Sequence, residues 1–416
     1  MEHGKESRGK CADHVFFGML LALYALMMLV FFYRQAIEYQ GNYYSDMKAY
    51  ILETQGLESG FDFPYRLFFW LSRIWMIFVT PEAAVAFSTM LLDVLCVILV
   101  KYYFNTFLAD CAQREGVRWN LSWRLISTVA VFSLFFMSMI YSERGEKFWS
   151  YDYIYRCNGI YTANPYWNAT FLAVRPFTVL GFFLCARVLS EYEKAFSWRD
   201  GILAGISVFL ATFTKPSFTF ILGPVLAATV FWRLFAKRFA YWKNTVRLCG
   251  CFLPTVLLLV YQFQGVFMGT NARGEETGIG FEVGKAWHLF TGNIPLSIMM
   301  ALLFPLSVLA LNWKELKRDG AFRLAWQLMA VGFLSFLLLY EKGFRLEHMN
   351  FSWGYMHGLF FVFLISILQM LKNAMKRENL MYKLLLTPEL VTYAYHLICG
   401  IVFFCYMYQG NNAGAF

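Results

Sequence analysis

The sequence predicts an all-α polytopic membrane protein of about eleven transmembrane helices, without a soluble domain. Three observations support this prediction. Of the 416 residues, 59% are hydrophobic and only 15% are charged, whereas soluble domains typically carry about 25% charged residues. The mean hydropathy is +0.48. Apolar runs recur along the whole chain, and about 20 apolar residues suffice to cross a bilayer as a helix.

The first apolar run, Val15–Tyr33, is uncharged and lacks a small-residue cleavage site, so we interpret it as a transmembrane helix and not as a removed signal peptide. The runs that follow are Pro81–Val100, Leu125–Tyr141, Phe171–Ala186, Gly201–Phe213, Phe218–Phe235, Leu248–Met268, Ile294–Trp313, Leu324–Tyr340, Tyr355–Leu371 and Leu390–Tyr408. Gly201–Phe213 is short for a span, and it could continue through Lys215–Pro216 as a kinked helix.

The basic residues fall in short connections between the apolar runs and form no continuous stripe. This distribution argues against nucleic acid as a partner, despite the formal net charge of +9. Alternate connections hold most of the 36 lysines and arginines: the N-terminus, Lys101–Arg124, Arg187–Arg199, Arg233–Arg247, Lys314–Arg323 and Lys372–Lys383. The positive-inside rule therefore places the N-terminus in the cytoplasm and the C-terminus outside. We expect membrane lipid as a partner, and a bacterial plasma membrane in preference to the endoplasmic reticulum.

The connections predicted to lie outside are longer than the basic ones, and they hold the residues whose side chains could take part in binding or catalysis. They run over Arg34–Thr80, Ser142–Asn168, Gln264–Asn293 and Glu341–Gly354. The first begins soon after the first predicted span. In it, Ser45 can cap a short helix, which puts Asp46, Tyr50 and Glu53 on one face at i, i+4 and i+7. Asp46 could remove a proton from a hydroxyl nucleophile, or it could be a first-turn charge favoured by the helix dipole.

The same outer connection continues with Gly60–Arg66, which contains Asp62 and Arg66. The apolar stretch Leu67–Val79 follows and is too short to span a bilayer. It is either a helix lying at the membrane interface or an ordinary loop leading into the second span.

Two basic residues lie in or beside apolar runs near the predicted outer surface. Lys215 separates two runs, and Arg175 comes early in another. A cation there is costly unless it meets an anion, and a leaving phosphate is a suitable anion. The alternative for both is snorkelling to lipid head groups.

The last outer connection combines charge, amide and aromatic groups. It contains Arg345, Glu347, His348 and Asn350 between aromatic residues. This mixture suits sugar hydroxyls and phosphate, although the aromatic residues could equally form an interfacial belt. Elsewhere, Asp93 and Glu389 lie in or near apolar runs and are candidates for helix packing or proton relay. Asn168-Ala169-Thr170 fits the glycosylation sequon.

These features resemble the GT-C superfamily of polytopic glycosyltransferases, which use lipid-phosphate-linked sugars. The resemblance rests on Ser45-Asp46 with Tyr50 after the first span, on Pro64-Tyr65, and on the two glycines of Gly201–Gly205 followed by Thr214-Lys215-Pro216. It also rests on the alternation of short basic and longer outer connections. It assigns residues 1–240 to a GT-C-like transmembrane catalytic module and leaves 241–416 as additional transmembrane helices.

The resemblance implies an inverting transfer of a monosaccharide from a polyprenyl-phosphate donor to a glycan, glycolipid or other lipid-linked acceptor, or surface polymer. Asp46 would be the general base. Lys215, with one or more of Arg66, Arg175 and Arg345, would stabilise the leaving phosphate. Many members carry paired acids in the first loop, whereas Met47 follows Asp46 here, and Glu53 and Asp62 could share the role of the second acid. A divalent cation is therefore left open and is not supported by a paired-acid motif.

Two other classes fit the same composition. A flippase for lipid-linked glycans or a polysaccharide exporter would use basic and aromatic outer residues without catalysis, but would need a polar path across the bilayer. A polysaccharide polymerase or ligase would use a diphosphate-linked or phospholipid donor. The sequence contains no Walker A, GxSxG or HExxH motif.

Overall fold

The computed structural model describes residues 2–38, 43, 45–61, 63–140, 159–267, 278–376 and 380–411. Within these ranges it is an all-α polytopic protein, in which nine helices are long and apolar enough to cross a membrane. The fold class is therefore confirmed at the level of a multi-pass helical membrane protein. The strands among the described residues are short and form one two-stranded sheet.

Thirteen helices and two strands are numbered here in chain order. The helices are α1 (Glu2–Ile37), α2 (Met47–Gln55), α3 (Leu67–Trp75), α4 (Pro81–Arg114), α5 (Leu121–Phe136), α6 (Ala169–Glu191), α7 (Trp198–Thr214), α8 (Ser217–Ala236), α9 (Trp242–Phe267), α10 (Ile294–Leu311), α11 (Gly320–Leu338), α12 (Ser352–Met375) and α13 (Leu380–Tyr408). The strands are β1 (Ile279–Phe281) and β2 (Leu339–Glu341), which pair antiparallel. Shorter turns lie at Trp287–Leu289, Glu315–Arg318 and Gly343–His348.

Every apolar run identified in the sequence overlaps a helix within the described residues. Nine of these helices meet the length and composition expected of a span. The other two, α5 and α7, have 16 and 17 residues and are shorter. The count of eleven transmembrane helices therefore stays a prediction. The multi-pass architecture does not depend on this count. The stretch after Arg66 is also a helix, α3, with Phe68 and Phe69 buried and Trp70 and Ile74 exposed.

The kinked continuation of Gly201–Phe213 through Lys215–Pro216, which the sequence left open, does not occur. Helix α7 ends at Thr214, and α8 begins anew at Ser217. Lys215 between them has extended backbone angles (φ −165°, ψ 119°). The ring of Pro216 disfavours helical angles at the residue before it, so the helix stops and does not merely bend.

Side-chain caps fix where several helices begin. A Ser, Thr, Asn or Asp side chain accepts a hydrogen bond from a backbone amide in the first turn, which satisfies a donor that the helix cannot pair. These caps are Thr80, Asn120, Asn168, Ser197, Asn293 and Asp319. They hold the helix starts at both ends of the bundle, and the cap of α6 is also part of the site described below.

The connections between helices lie at two ends of the bundle, as the alternation of loops predicted. At one end, here called the Asp46 end, Asp46 contacts Asn168, and β1 pairs with β2. At the other, the Asp319 end, Lys372 binds Asp319 at 3.0 Å, and Arg233 lies 3.6 Å from Glu193. The described parts of the predicted outer connections lie at the first end, and those of the basic connections lie at the second.

Close packing of α7 against α9 depends on small residues. A Cβ atom added at Gly205 would lie 2.2 Å from the carbonyl oxygen of Cys251, and one at Gly201 would lie 3.1 Å from the Cys251 sulfur. The two glycines that contribute to the family resemblance therefore have a packing reason in this protein. Helix α12 is the most enclosed helix of the bundle, and α6 is also deeply buried. Both begin at the Asp46 end and carry site residues at their starts.

Candidate functional site

The site begins with Asp46, at the start of α2. The N-cap of this short helix is Asp46 and not Ser45, whose hydroxyl accepts a hydrogen bond from the Met47 amide at 3.3 Å. The Asp46 side chain makes no cap bond. Instead its Oδ2 atom accepts a hydrogen bond of 3.1 Å from the hydroxyl of Tyr50, one turn later. The helical spacing predicted from the sequence thus brings these two side chains together.

Asn168, at the start of α6, joins Asp46 to the rest of the site. Its Nδ2 group donates to Asp46 Oδ2 at 2.8 Å and to the Tyr50 hydroxyl at 2.9 Å. Its Oδ1 atom accepts from the amide of Phe171 at 2.9 Å. Because a backbone amide can only donate, this last bond fixes which side of the Asn168 amide faces Asp46. The side chain is 1% exposed, so it forms a rigid bridge.

Lys215 occupies the buried side of this bridge. Its Nζ group donates to Asn168 Oδ1 and to Thr170 Oγ1, both at 3.1 Å. The ammonium also lies 4.3 Å from the centre of the Trp353 ring. Burial lowers the pKa of Lys215 to about 7, and the nearby Asp46 carboxylate partly offsets this effect. Near neutral pH, this lysine is therefore poised between its charged and neutral forms.

Aromatic side chains surround the bridge. The Tyr65 ring centre is 5.9 Å from Lys215 Nζ, and the Phe63 ring lies 5.5 Å from that of Tyr50 and 5.7 Å from that of Tyr65. Burial raises the pKa of both Tyr50 and Tyr65. Both phenols therefore stay neutral. The Tyr50 hydroxyl donates its proton to Asp46, which leaves the Tyr65 hydroxyl as the phenol that can donate to an anion. A cation and a phenol donor next to aromatic faces suit a ligand with a phosphate and a ring.

The exposed carboxylate and the buried ammonium have different access to solvent. Asp46 is exposed, whereas Lys215 is only 6% exposed. Within the described part of the chain, Asp46 Oδ1 has no hydrogen-bond partner, because both bonds to the carboxylate use Oδ2. One oxygen is thus held in place, and the described residues leave the other unpaired. This arrangement can accept a proton from a hydroxyl group that approaches from outside the bundle.

Glu53 and Arg66 form an ion pair at the margin of the site. The Arg66 guanidinium, half exposed, binds the Glu53 carboxylate. The Arg66 backbone amide donates to the carbonyl of Phe213 at 3.1 Å, which ties this loop to the end of α7. Glu53 therefore does not share the Asp46 position as a second acid. Asp62, the other predicted acid of this loop, lies outside the described residues.

Arg175 is not brought to Asp46. Its Nη2 group binds Asp93 Oδ1 at 2.6 Å, and both side chains are fully buried between α6 and α4. Tyr24 donates to the other oxygen of Asp93 at 2.6 Å, and Asn164 accepts from Arg175 Nη1. Arg175 therefore neither snorkels to the membrane surface nor faces the lysine. Asp93 therefore pairs with Arg175, a contact that the sequence did not reveal.

The last predicted cluster is divided between two surroundings. Arg345 lies 4.0 Å from Glu341, which also accepts a hydrogen bond from Asn350. The His348 ring is 5.7 Å from that of Phe61, at the edge of the first outer connection. Glu347 is exposed. This segment thus flanks the site, and its contact with the lysine comes through Trp353 at the start of α12.

Four residues of the site were not identified from the sequence as site residues: Asn168, Thr170, Tyr65 and Trp353. In the sequence, Asn168 and Thr170 were recognised only as parts of a glycosylation sequon. A signal was present, since an Asn directly before an apolar run is a helix-cap pattern. That pattern predicts the start of α6 but not its contact with Asp46. Tyr65 was noted only for the family pattern.

A groove of about 390 Å³ lies between α3 and α4. Its lining is almost wholly apolar: Leu71, Ile74, Trp75, Ser88, Leu91, Leu92, Val94, Leu95 and Ile98. Leu91, Leu95 and Ile98 are exposed on the same side of α4. Helix α3 also contacts the end of α7, just before Lys215, since the Trp70 and Phe213 rings lie 5.0 Å apart. The groove therefore lies on the outer surface of the helix bundle, close to the site.

Among the described residues, no group of three or more His, Cys, Asp or Glu side chains could hold a metal ion. No protein-family model matches this sequence, and no curated protein is significantly similar to it. The geometry of Asp46, Asn168 and Lys215 is therefore the basis for inferring the function.

Proposed function

We propose that the protein is a membrane glycosyltransferase that moves a monosaccharide from a polyprenyl-phosphate donor to a hydroxyl group of a glycan, glycolipid or surface polymer. The observation that carries this proposal is the bridge through Asn168, which holds an exposed carboxylate beside a buried ammonium. A base and a cation that contact the same amide side chain match what glycosyl transfer from a phosphate needs. The base activates the nucleophile, and the cation stabilises the leaving group.

In the proposed reaction, Asp46 Oδ1 takes the proton of the acceptor hydroxyl. The acceptor oxygen then forms a bond to the anomeric carbon, while the bond from that carbon to the phosphate oxygen breaks. The electron pair of the broken bond stays on the phosphate, and the configuration at the anomeric carbon inverts. The Lys215 ammonium neutralises the charge that develops on the phosphate, and the Tyr50 hydroxyl and Asn168 amide hold the carboxylate in position.

The remaining predicted cations have secondary roles in the proposal. Arg66 and Arg345 are each paired with a carboxylate, Glu53 and Glu341, so either would have to share that partner with a phosphate. Arg175 is fully buried against Asp93. For this reason we assign the leaving phosphate to Lys215 first and Arg66 second, and leave Arg175 out of phosphate binding.

The donor would enter from the membrane. Its polyprenyl chain is apolar and would lie along the groove between α3 and α4, while its phosphate reaches Lys215. Placing the Asp46 end on the outer face follows from the excess of basic residues at the Asp319 end. The acceptor would then arrive from outside and meet the exposed oxygen of Asp46.

The experiment that tests this function uses purified protein in liposomes with crude acceptor. The lipids offered are a set of polyprenyl-phosphate monosaccharides, a diphosphate-linked oligosaccharide and a labelled lipid-linked glycan. Release of free polyprenyl phosphate is the readout. We expect turnover with at least one donor. Consumption of a diphosphate-linked oligosaccharide alone would favour a polymerase or ligase. If no donor is consumed while a labelled lipid-linked glycan crosses the bilayer, the protein is a flippase and the proposal is wrong.

A further inference from the structure

The connection between α8 and α9, at the Asp319 end, has an unusual composition. Residues 231–247 contain five basic residues, six aromatic residues and no acidic residue. We call this segment, from Phe231 to Arg247, the 231–247 surface. It lies far along α8 from Lys215, and nothing in the proposed reaction uses it.

The charges of this surface are largely uncompensated by the protein. Lys237, Arg238, Lys243 and Arg247 are exposed. Within the described part of the chain none of these four forms an ion pair, and Arg247 only donates a hydrogen bond to Asn244. Arg233 is the exception, since it lies 3.6 Å from Glu193. Four exposed cations therefore have no acidic partner among the residues that the structure describes.

The aromatic side chains of the same segment are exposed as well. Trp232 is 73% exposed and Phe231 is 65% exposed, and Trp242 is about half exposed. Rings in such positions are costly in water, but they are typical of the head-group level of a bilayer. The surface thus combines groups that prefer the interface with groups that bind phosphate.

The length of α8 places this surface at the head groups. The helix begins two residues after Lys215 and has 20 residues, which corresponds to ~30 Å along its axis. The hydrocarbon core of a bilayer is also ~30 Å thick. If Lys215 lies near one surface, Lys237 lies near the opposite one.

The turn itself is held in a costly conformation. Arg238 and Phe239 have positive φ angles of 47° and 63°, which bulky residues rarely adopt. Hydrogen bonds from the Phe239 amide to the Leu234 carbonyl at 2.8 Å, and from the Ala240 amide to the Lys237 carbonyl at 3.0 Å, stabilise the turn. The cations are thus presented from an ordered loop, which reduces the entropy lost on binding.

We propose that the 231–247 surface binds the phosphate groups of anionic phospholipids in the leaflet opposite to Asp46. Complementary charge and the exposed aromatic residues favour a lipid over a soluble anion. The proposal does not rest on the transferase function, because it uses no residue of the proposed site. Its failure would leave the function proposal unaffected.

The test compares two variants with the same number of charges removed. The first carries Lys237→Gln, Arg238→Gln, Lys243→Gln and Arg247→Gln. The matched control carries Lys194→Gln, Arg199→Gln, Lys314→Gln and Lys317→Gln, which are exposed at the same end but have acidic neighbours in the sequence. Phosphatidylglycerol or phosphatidylcholine is titrated into detergent-solubilised protein, and bound lipids are counted by native mass spectrometry.

We expect phosphatidylglycerol to bind the first variant about tenfold or more weakly than it binds the wild type and the control, because several basic contacts are lost. Equal binding to all three proteins would overturn the proposal, as would equal binding of phosphatidylcholine. Displacement of the lipid by millimolar inorganic phosphate would contradict the choice of a lipid. If the fourfold variant does not fold, the pair Lys243→Gln and Arg247→Gln is tested against Lys314→Gln and Lys317→Gln.

Discussion

The carboxylate of Asp46 accepts a hydrogen bond of 2.8 Å from the side-chain amide of Asn168, a residue 122 positions further along the chain. Asn168 also caps α6, one of the most buried helices of the bundle. The first outer connection is therefore held against a rigid helix start. Since catalytic groups must be held closely in place, this contact is as important to the proposal as the carboxylate itself.

Replacing Asn168 with Ala should impair the reaction in two separable ways. The Asp46 carboxylate loses its donor and can rotate, so kcat should fall about tenfold or more, as is common for supporting residues. Lys215 also loses an acceptor, which lowers its pKa further and moves the alkaline limb of the pH–rate profile to lower pH.

The matched control for Asn168 is Thr170→Val, which removes one acceptor of Lys215 and keeps the amide donor to Asp46. This variant should move the alkaline limb and leave kcat at pH 6 nearly unchanged. If Asn168→Ala and Thr170→Val have identical kinetics at every pH, the amide does not position the base.

Lys215 should give donor binding a distinctive dependence on pH. Its pKa is lowered to about 7 by burial, so the free protein loses the ammonium charge as the pH rises above 7. An anionic phosphate favours the charged form, and binding must then take up a proton. Donor affinity should therefore fall between pH 7 and 9, by up to about tenfold per pH unit.

The variant Lys215→Arg provides the check on this pH dependence, because arginine keeps its charge throughout this range. Its donor affinity, measured by titration with a fluorescent polyprenyl phosphate, should be flat from pH 7 to 9. Lys215→Met should bind weakly at all pH values. A wild-type affinity that is constant over this range would show that Lys215 does not contact the phosphate.

Local periodicity explains which site residues the sequence could predict. Asp46 and Tyr50 are one helical turn apart, so their contact follows from the spacing alone. Lys215 stood out because a cation beside apolar runs is costly. Asn168 and Trp353 carry no such signal, since their roles arise from contacts with residues more than a hundred positions away. A long-range contact also hid the Asp93–Arg175 pair, whose members are 82 positions apart.

Backbone effects explain where the fold prediction failed. The apolar pattern runs through residues 201–235 with little interruption, and hydropathy does not report the backbone angles at Lys215. Pro216 ended the helix at a point where the sequence also allowed a kinked continuation. The predicted helices were otherwise present, because spans of this kind are encoded by composition over many residues and tolerate local errors.

The buried pair of Arg175 and Asp93 should be a structural requirement. Asp93→Asn leaves the guanidinium fully buried without its counter-charge, which should destabilise the protein by about 3–5 kcal/mol. The double variant Asp93→Leu with Arg175→Met removes both charges and should cost less. The free energy of unfolding in mixed micelles is the measurement, and the exposed Asp110→Asn, which changes stability by less than ~1 kcal/mol, is the control. A double variant less stable than Asp93→Asn would contradict this interpretation.

Gly205 should be required for the close approach of α7 and α9. The Cβ atom of Gly205→Ala would lie 2.2 Å from the Cys251 carbonyl oxygen, so the helices must separate, at a cost of about 1–3 kcal/mol. Gly223→Ala on α8 is the matched control, since no atom lies within 4 Å of the added Cβ there. Unfolding in mixed micelles should distinguish the two. Equal stability would mean that the helices adjust freely.

The central claim is that Asp46 is the base, and the rate of polyprenyl phosphate release by Asp46→Asn tests it most directly. Asparagine keeps the shape of the side chain but cannot take the proton. With donor and acceptor saturating, and Asp110→Asn as an equally charged control, we expect Asp46→Asn to be slower than the wild type by about 10²- to 10⁴-fold. A folded Asp46→Asn protein that turns over at the wild-type rate would contradict the account.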